Sequence, residues 1–173
     1  MGYTVIRSHE ICAGHRVVGH ESKCRHLHGH NYKFHFKVAP KKTLSEGYVK
    51  SVSGFALEGS LDDVGRVIDF SVVKTTLCQW LEDNWDHKFL HWNRDNLIDA
   101  LKIAASRPSC PLEHEDHEHF LNSLVALPFN PTAENLAAYM VDVIGPQLLD
   151  QYGVELVECT IEETSKCHVN YCK

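Results

Sequence analysis

The chain has 173 residues, 43% hydrophobic and 23% charged, enough apolar material for one compact domain with a sizeable core. Seventeen Lys and Arg against 23 Asp and Glu give a formal charge of -6 with no basic stripe, which argues against nucleic acid and anionic membrane as partners. No apolar run approaches membrane-spanning length and residues 1–7 lack the apolar centre of a signal peptide, so a soluble, cytoplasmic protein is expected.

Residues 3–15 read as a first strand, with Val5, Arg7, His9, Ile11, Ala13 and His15 on one face. A polar loop over 16–27 leads into a second strand, 28–38, whose even positions His28, His30, Tyr32, Phe34, Phe36 and Val38 share the apolar face. Two imidazoles are thereby sent inward, where they need polar partners, and a bound metal supplies them. If the two strands form a hairpin, His15 faces the same way as His28 and His30. Three neutral imidazoles with one open position are the pattern of a catalytic zinc (Zn2+) rather than a structural one. The seven cysteines are an odd set without a CxxC pair, against both a disulfide framework and a thiolate zinc knuckle. Cys24 stands apart from the others: it precedes His28 by four residues and lies between Lys23 and Arg25, cations that lower a thiol pKa when close.

Residues 39–63, with Pro40, Gly47, Gly54 and Gly59, read as a long excursion that includes a short strand over 48–57. A strand over 65–70 then leads into a helix capped by Ser71, with Val72, Val73, Thr76, Leu77, Trp80 and Leu81 on one stripe. The helix runs out near Trp85. Next comes Asp86-His87, an adjacent acid and imidazole able to act as a proton relay, because a carboxylate on one ring nitrogen raises the basicity of the other. A short helix is expected over 94–105, a solvated acidic loop over 113–119 and a short strand over 124–127. Asn130-Pro131-Thr132 starts an amphipathic helix with Leu136, Ala137, Met140, Val141, Ile144 and Leu148 on its stripe. The last strand covers 154–164. There Glu163 continues the row of Val157, Cys159 and Ile161; it either anchors a ligand with an amidine-like edge or reaches solvent where the strand ends.

In this order His15, Cys24-x3-His28-Gly29-His30-Asn31-Tyr32, Gly65-x-Val67-Ile68-Asp69-Phe70, Asp86-His87, Pro131-Thr132-Ala133-Glu134-Asn135, Glu163-Thr164 and Tyr171 resemble the 6-pyruvoyl-tetrahydropterin synthase and 6-carboxytetrahydropterin synthase family over nearly the whole chain. The resemblance implies an α+β tunnelling fold (T-fold): an antiparallel four-stranded sheet with two main helices on one face, assembling as a homo-oligomeric barrel with sites at subunit interfaces. It implies one domain over 1–173 with insertions near 39–63 and 92–129. By the same resemblance His15, His28 and His30 hold zinc, Cys24 is the catalytic thiolate, Asp86 and His87 form the relay, and Glu163 with Thr164 anchors the pterin. The implied substrate is 7,8-dihydroneopterin triphosphate. The short Cys24-x3-His28 spacing resembles the branch that cleaves the side chain to give 6-carboxytetrahydropterin and acetaldehyde, in 7-deazapurine (queuosine-type) biosynthesis. The biopterin branch, which gives 6-pyruvoyl-tetrahydropterin, is the alternative. Outside these two stand a generic zinc hydrolase and a non-catalytic zinc- or pterin-binding module.

Overall fold

The computed structural model describes residues 3–41, 61–62 and 64–173. The strand expected over 48–57 lies outside the described residues.

The long strands form where apolar and polar residues alternate. β1 (Val5–His15) and β2 (His28–Pro40) pair antiparallel, with Ala13 opposite His30 and His15 opposite His28. β5 (Val154–Thr164) lies antiparallel on the other side of β2. The inward residues Ile11, Ala13, Tyr32, Phe34, Phe36, Leu156, Cys159 and Ile161 are buried. Each large apolar side chain among them contributes about 1.5–3 kcal/mol by leaving water. The opposite face is a ladder of polar pairs, among them Lys37–Glu158 at 3.0 Å and His35–Glu162 at 2.6 Å.

Two composite helices cover the inner face. The first runs through α1 (Phe70–Val73), a π-helical segment Lys74–Cys78 and α2 (Gln79–Asn84). The second runs through α5 (Ala133–Tyr139), a π-helical segment Met140–Ile144 and α6 (Gly145–Leu149). Val73, Leu77, Leu81, Leu136, Met140 and Val141 join the strand residues in one core, so both helical stripes are where the spacing put them. The second helix lies so close to the sheet that a Cβ on Gly145 would come within 2.8 Å of Leu156 Cβ.

Among the described residues the sheet has six strands, not the four expected: β3 (Phe89–Trp92), β4 (Leu124–Leu127) and β6 (Cys167–Cys172) join the other three in the order β4-β3-β1-β2-β5-β6. β3 and β4 add in parallel beside β1, while β6 folds back on β5. β3 is only four residues long and β6 follows a tight turn, so neither shows in a periodicity window. Residues 65–70 are not a strand: Gly65 turns with φ 89°, Arg66 pairs with Asp62 and Asp69, and Asp69, rather than Ser71, caps the helix by accepting from the Ser71 N–H. The acidic run expected as a loop is an exposed helix, α4 (His114–Asn122), which follows α3 (Asn96–Ala105). Among the described residues no helix is long and apolar enough to cross a membrane.

Candidate active site

The hairpin ladder brings three ligands together by parity. His15 ends β1, directly opposite His28 at the start of β2, and His30 follows two residues on along the same face. One nitrogen of each imidazole lies within 4.8 Å of the others. Gly29, between the two β2 ligands, has no room for a side chain: its Cβ would meet Ala13 O at 2.9 Å.

Backbone carbonyls fix the ring tautomers. A carbonyl oxygen only accepts, so His15 Nδ1 donates to Pro131 O at 2.7 Å and His28 Nδ1 to His26 O at 2.8 Å. Both Nε2 atoms therefore carry lone pairs, and they face each other at 3.1 Å. Two lone pairs at that distance repel unless a cation or a proton lies between them. Bonds of roughly 2.1 Å at tetrahedral angles would separate ligand nitrogens by about 3.4 Å, so the donor set fits a zinc ion with a small outward movement. His15 is 2% exposed. Burial, with the neighbouring His28 and His30, lowers its pKa to about 4 against the raising effect of the Pro131 bond. Burial also lowers the pKa of His30, with Glu163 acting in the opposite direction. Both shifts favour the neutral ring, the form that could bind a metal.

Tyr32, the next inward residue of β2, packs edge-on against His15 and His30 at centroid distances of 5.6 and 5.4 Å. Its buried hydroxyl has no partner among the described residues. Burial first, then the charges of Glu163 and Cys24, push its phenol well above the ordinary value. Cys24 is half-buried in a 3-10 turn, Lys23–Arg25, whose two cations are exposed. Glu163 sits at a β-bulge, between the paired Glu162 and Thr164. Thr164 is exposed and accepts the Lys166 N–H at 3.2 Å.

Asp86 and His87 dock on the edge of β1. Asp86 Oδ1 accepts the Cys12 N–H at 2.8 Å, and the His87 N–H donates to Cys12 O at 2.7 Å. His87 has φ 53°, a strained value for a side-chain-bearing residue, and its side chain is 81% exposed. Asp86 Oδ2 stands 3.8 Å from His87 Nε2, an ion-pair distance without a short hydrogen bond. A groove of about 510 Å³ includes His28, His30, Asn31, Cys12 and His87 in its lining, so His87 and two imidazoles of the triad share one opening. Cys24 and Glu163 do not line that groove.

Sequence reasoning missed the residues that hold the site. The Pro131 carbonyl and the Asn130 side chain act through backbone geometry that no spacing announces. Arg16 is engaged by Asp95: the ion pair is 3.1 Å, and Asp95 is 2% exposed while capping α3.

The family model for 6-pyruvoyl tetrahydropterin synthase matches residues 4–173. A 6-carboxy-5,6,7,8-tetrahydropterin synthase of Rickettsia bellii is 29% identical over 160 residues, covering 92% of this chain and 93% of its own length. A probable 6-carboxy-5,6,7,8-tetrahydropterin synthase of Halobacterium salinarum is 27% identical, covering 89% of this chain and 76% of its own. Among solved structures, an uncharacterized protein of Wolinella succinogenes superposes with a TM-score of 0.75 at 20% identity, covering 100% of this chain and 99% of that one. The Caenorhabditis elegans 6-pyruvoyl tetrahydropterin synthase superposes with a TM-score of 0.56 at 22% identity, covering 99% and 95%.

Proposed function

Because the chain belongs to the 6-pyruvoyl tetrahydropterin synthase family, we propose that it is a zinc-dependent 6-carboxy-5,6,7,8-tetrahydropterin synthase, a lyase converting 7,8-dihydroneopterin triphosphate and one water to 6-carboxytetrahydropterin, acetaldehyde and triphosphate. The observation that carries this reading is the convergent triad, with buried His15 and half-buried His28 and His30, in which two Nε2 lone pairs face each other at 3.1 Å. The relatives that carry the product's name support the branch.

His15, His28 and His30 would hold the zinc. When bound, it supplies Lewis acidity that acidifies a coordinated alcohol and stabilises negative charge on its oxygen. Glu163 would accept two parallel N–H bonds from the amidine-like edge of a pterin, which fixes the ring and leaves its side chain toward the triad. Thr164 completes that anchor. Cys24, beside Lys23 and Arg25, takes a proton from the side-chain carbon as a thiolate. His87, with the Asp86 carboxylate 3.8 Å away, moves a proton on the opposite side of the substrate. Each such acid–base group contributes about 10²–10⁴-fold. The exposed, strained His87 and the separation of Cys24 from its groove support sites shared between copies in a homo-oligomer.

We also take residues 1–173 as one domain of the family, with insertions near 39–63 and 92–129 and α3 and α4 within the second. A pterin route to 7-deazapurines of the queuosine type, in the cytoplasm, is the proposed setting.

The test is to incubate the zinc-loaded protein with 7,8-dihydroneopterin triphosphate and to analyse the pterin by mass alongside an acetaldehyde assay. The expected result is a carboxylated pterin with acetaldehyde. A pyruvoyl product would move the protein to the biopterin branch, and no conversion with zinc confirmed would overturn the enzymatic reading. Cys24→Ala should keep zinc and lose turnover, whereas a zinc hydrolase would keep its activity.

A further inference from the structure

β1 and β2 end together at the His15–His28 pair, so the segment between them, residues 16–27, hangs beyond the ladder. Apart from one short 3-10 turn it has no secondary structure, and its backbone groups must find partners elsewhere. The Asn130 carboxamide supplies them. Its Oδ1 accepts the Val18 N–H at 2.9 Å and its Nδ2 donates to Val18 O at 2.8 Å, a two-point clamp on one residue. The adjoining Val17 N–H donates to Cys24 O at 2.8 Å. One peptide further on from Asn130, Pro131 O holds the His15 ring at 2.7 Å. The clamp is itself fixed from behind: Asn130 O accepts from Asn135 Nδ2 at 2.9 Å and from the Thr132 N–H at 2.8 Å.

From this connected set we infer that Asn130 is a positioning residue, whose side-chain amide sets the Cys24 thiol relative to the His15, His28 and His30 cluster through the Val18 and Val17 backbone. The inference rests on the reading of Cys24 as the reacting thiol. Asparagine suits the task because it presents a donor and an acceptor side by side in one plane, as a strand neighbour would. Aspartate lacks the donor, and glutamine places the same groups one methylene further out. The metal ligand is anchored by a carbonyl that no Asn130 substitution removes, which separates the two roles.

The experiment compares the zinc-loaded wild type with Asn130→Ala. Peptide-resolved mass spectrometry follows iodoacetamide labelling of each cysteine, metal analysis gives zinc per chain, and steady-state kinetics use 7,8-dihydroneopterin triphosphate. Freed from its clamp, Cys24 should label at least about threefold faster while the other six cysteines keep their rates, and zinc should stay at one per chain. A displacement of about 1 Å costs on the order of 10²-fold in rate, so kcat should fall about 10- to 100-fold with KM within about threefold of the wild type. Asn130→Asp keeps the acceptor and loses the donor, and it should show the same pattern at smaller size if the alanine variant is not recovered folded. Unchanged Cys24 labelling and kcat would overturn the inference. So would a parallel loss of zinc, thermal midpoint and all labelling selectivity, which would mark Asn130 as a fold element only. Wild-type protein that turns over no pterin, with the labelling and zinc pattern as expected, would refute the proposed activity and uphold the clamp.

Discussion

Lowering the pH should destabilise the metal-free protein through His15. The ring is 2% exposed and its pKa falls from 6.5 to about 4. A histidine whose folded pKa is depressed binds fewer protons folded than unfolded between those two values. Its stabilising contribution is therefore complete above pH 6.5 and is lost as pH falls toward 4. Going from pH 7.5 to 5.0, protonation of the unfolded state alone is worth about 2 kcal/mol at roughly 1.36 kcal/mol per pKa unit. The assay is urea unfolding of chelator-treated protein at the two pH values, followed by tryptophan fluorescence, since Trp85 is 1% exposed. His15→Asn serves as the reference, because it removes this titration and leaves the carboxylates unchanged. The wild type should lose about 2 kcal/mol more than the variant over the interval. Equal losses in the two proteins would refute the assignment of His15 as a neutral, desolvated ring.

Other substitutions test separate parts of the site. Asp95→Ala leaves Arg16 without its partner at a 2%-exposed position and removes the α3 cap, so urea unfolding should show a loss of about 3–5 kcal/mol, and a loss under about 1 would mean that the pair is solvated. Asp86→Asn can still accept the Cys12 N–H, so the thermal midpoint should hold while turnover drops about 10²-fold or more; wild-type turnover would remove Asp86 from the relay. Glu163→Gln takes away the charge that raises the His30 pKa, so the His30 titration followed by NMR in metal-free protein should move lower still. The same variant should bind a pterin at least about tenfold more weakly, as expected for a lost charge-assisted pair, with zinc content unchanged.

How much of this was legible depended on pattern length. The eleven-residue β1 and thirteen-residue β2 alternate cleanly, and that alternation alone put His15, His28 and His30 on one face. β3 and β4 have four residues each, and the run Phe89-Leu90-His91-Trp92 carries no period that separates a parallel strand from a helix end. The run over 113–119 looked like a solvated loop because nothing in it is apolar. It is helical all the same, with its rings and carboxylates exposed except the half-buried His117, and with Phe120 and Leu121 near its end turned partly inward. What tunes the triad was not legible, since His15 is oriented by a carbonyl 116 residues away.

The two adjacent carboxylates of β5 explain why Glu163 rather than Glu162 is the one to read as an anchor. Regular alternation sends Glu162 to the polar face, where His35 binds it at 2.6 Å and Ser8 holds the other side of that ring at 2.7 Å. His35 holds the Glu162 carboxyl below its ordinary value, so a ligand would have to break an existing pair to use it. Glu163 falls at the register shift that interrupts β5–β6 pairing, and its charge acts on His30 and Tyr32. Among the described residues the Glu163 carboxylate has no hydrogen bond or ion pair, and the buried Tyr32 hydroxyl has no partner either. A half-buried polar group left so costs stability. Strand alternation thus separates two neighbouring acids: Glu162 closes the outer ladder, and Glu163 is the one that the proposed anchor would use.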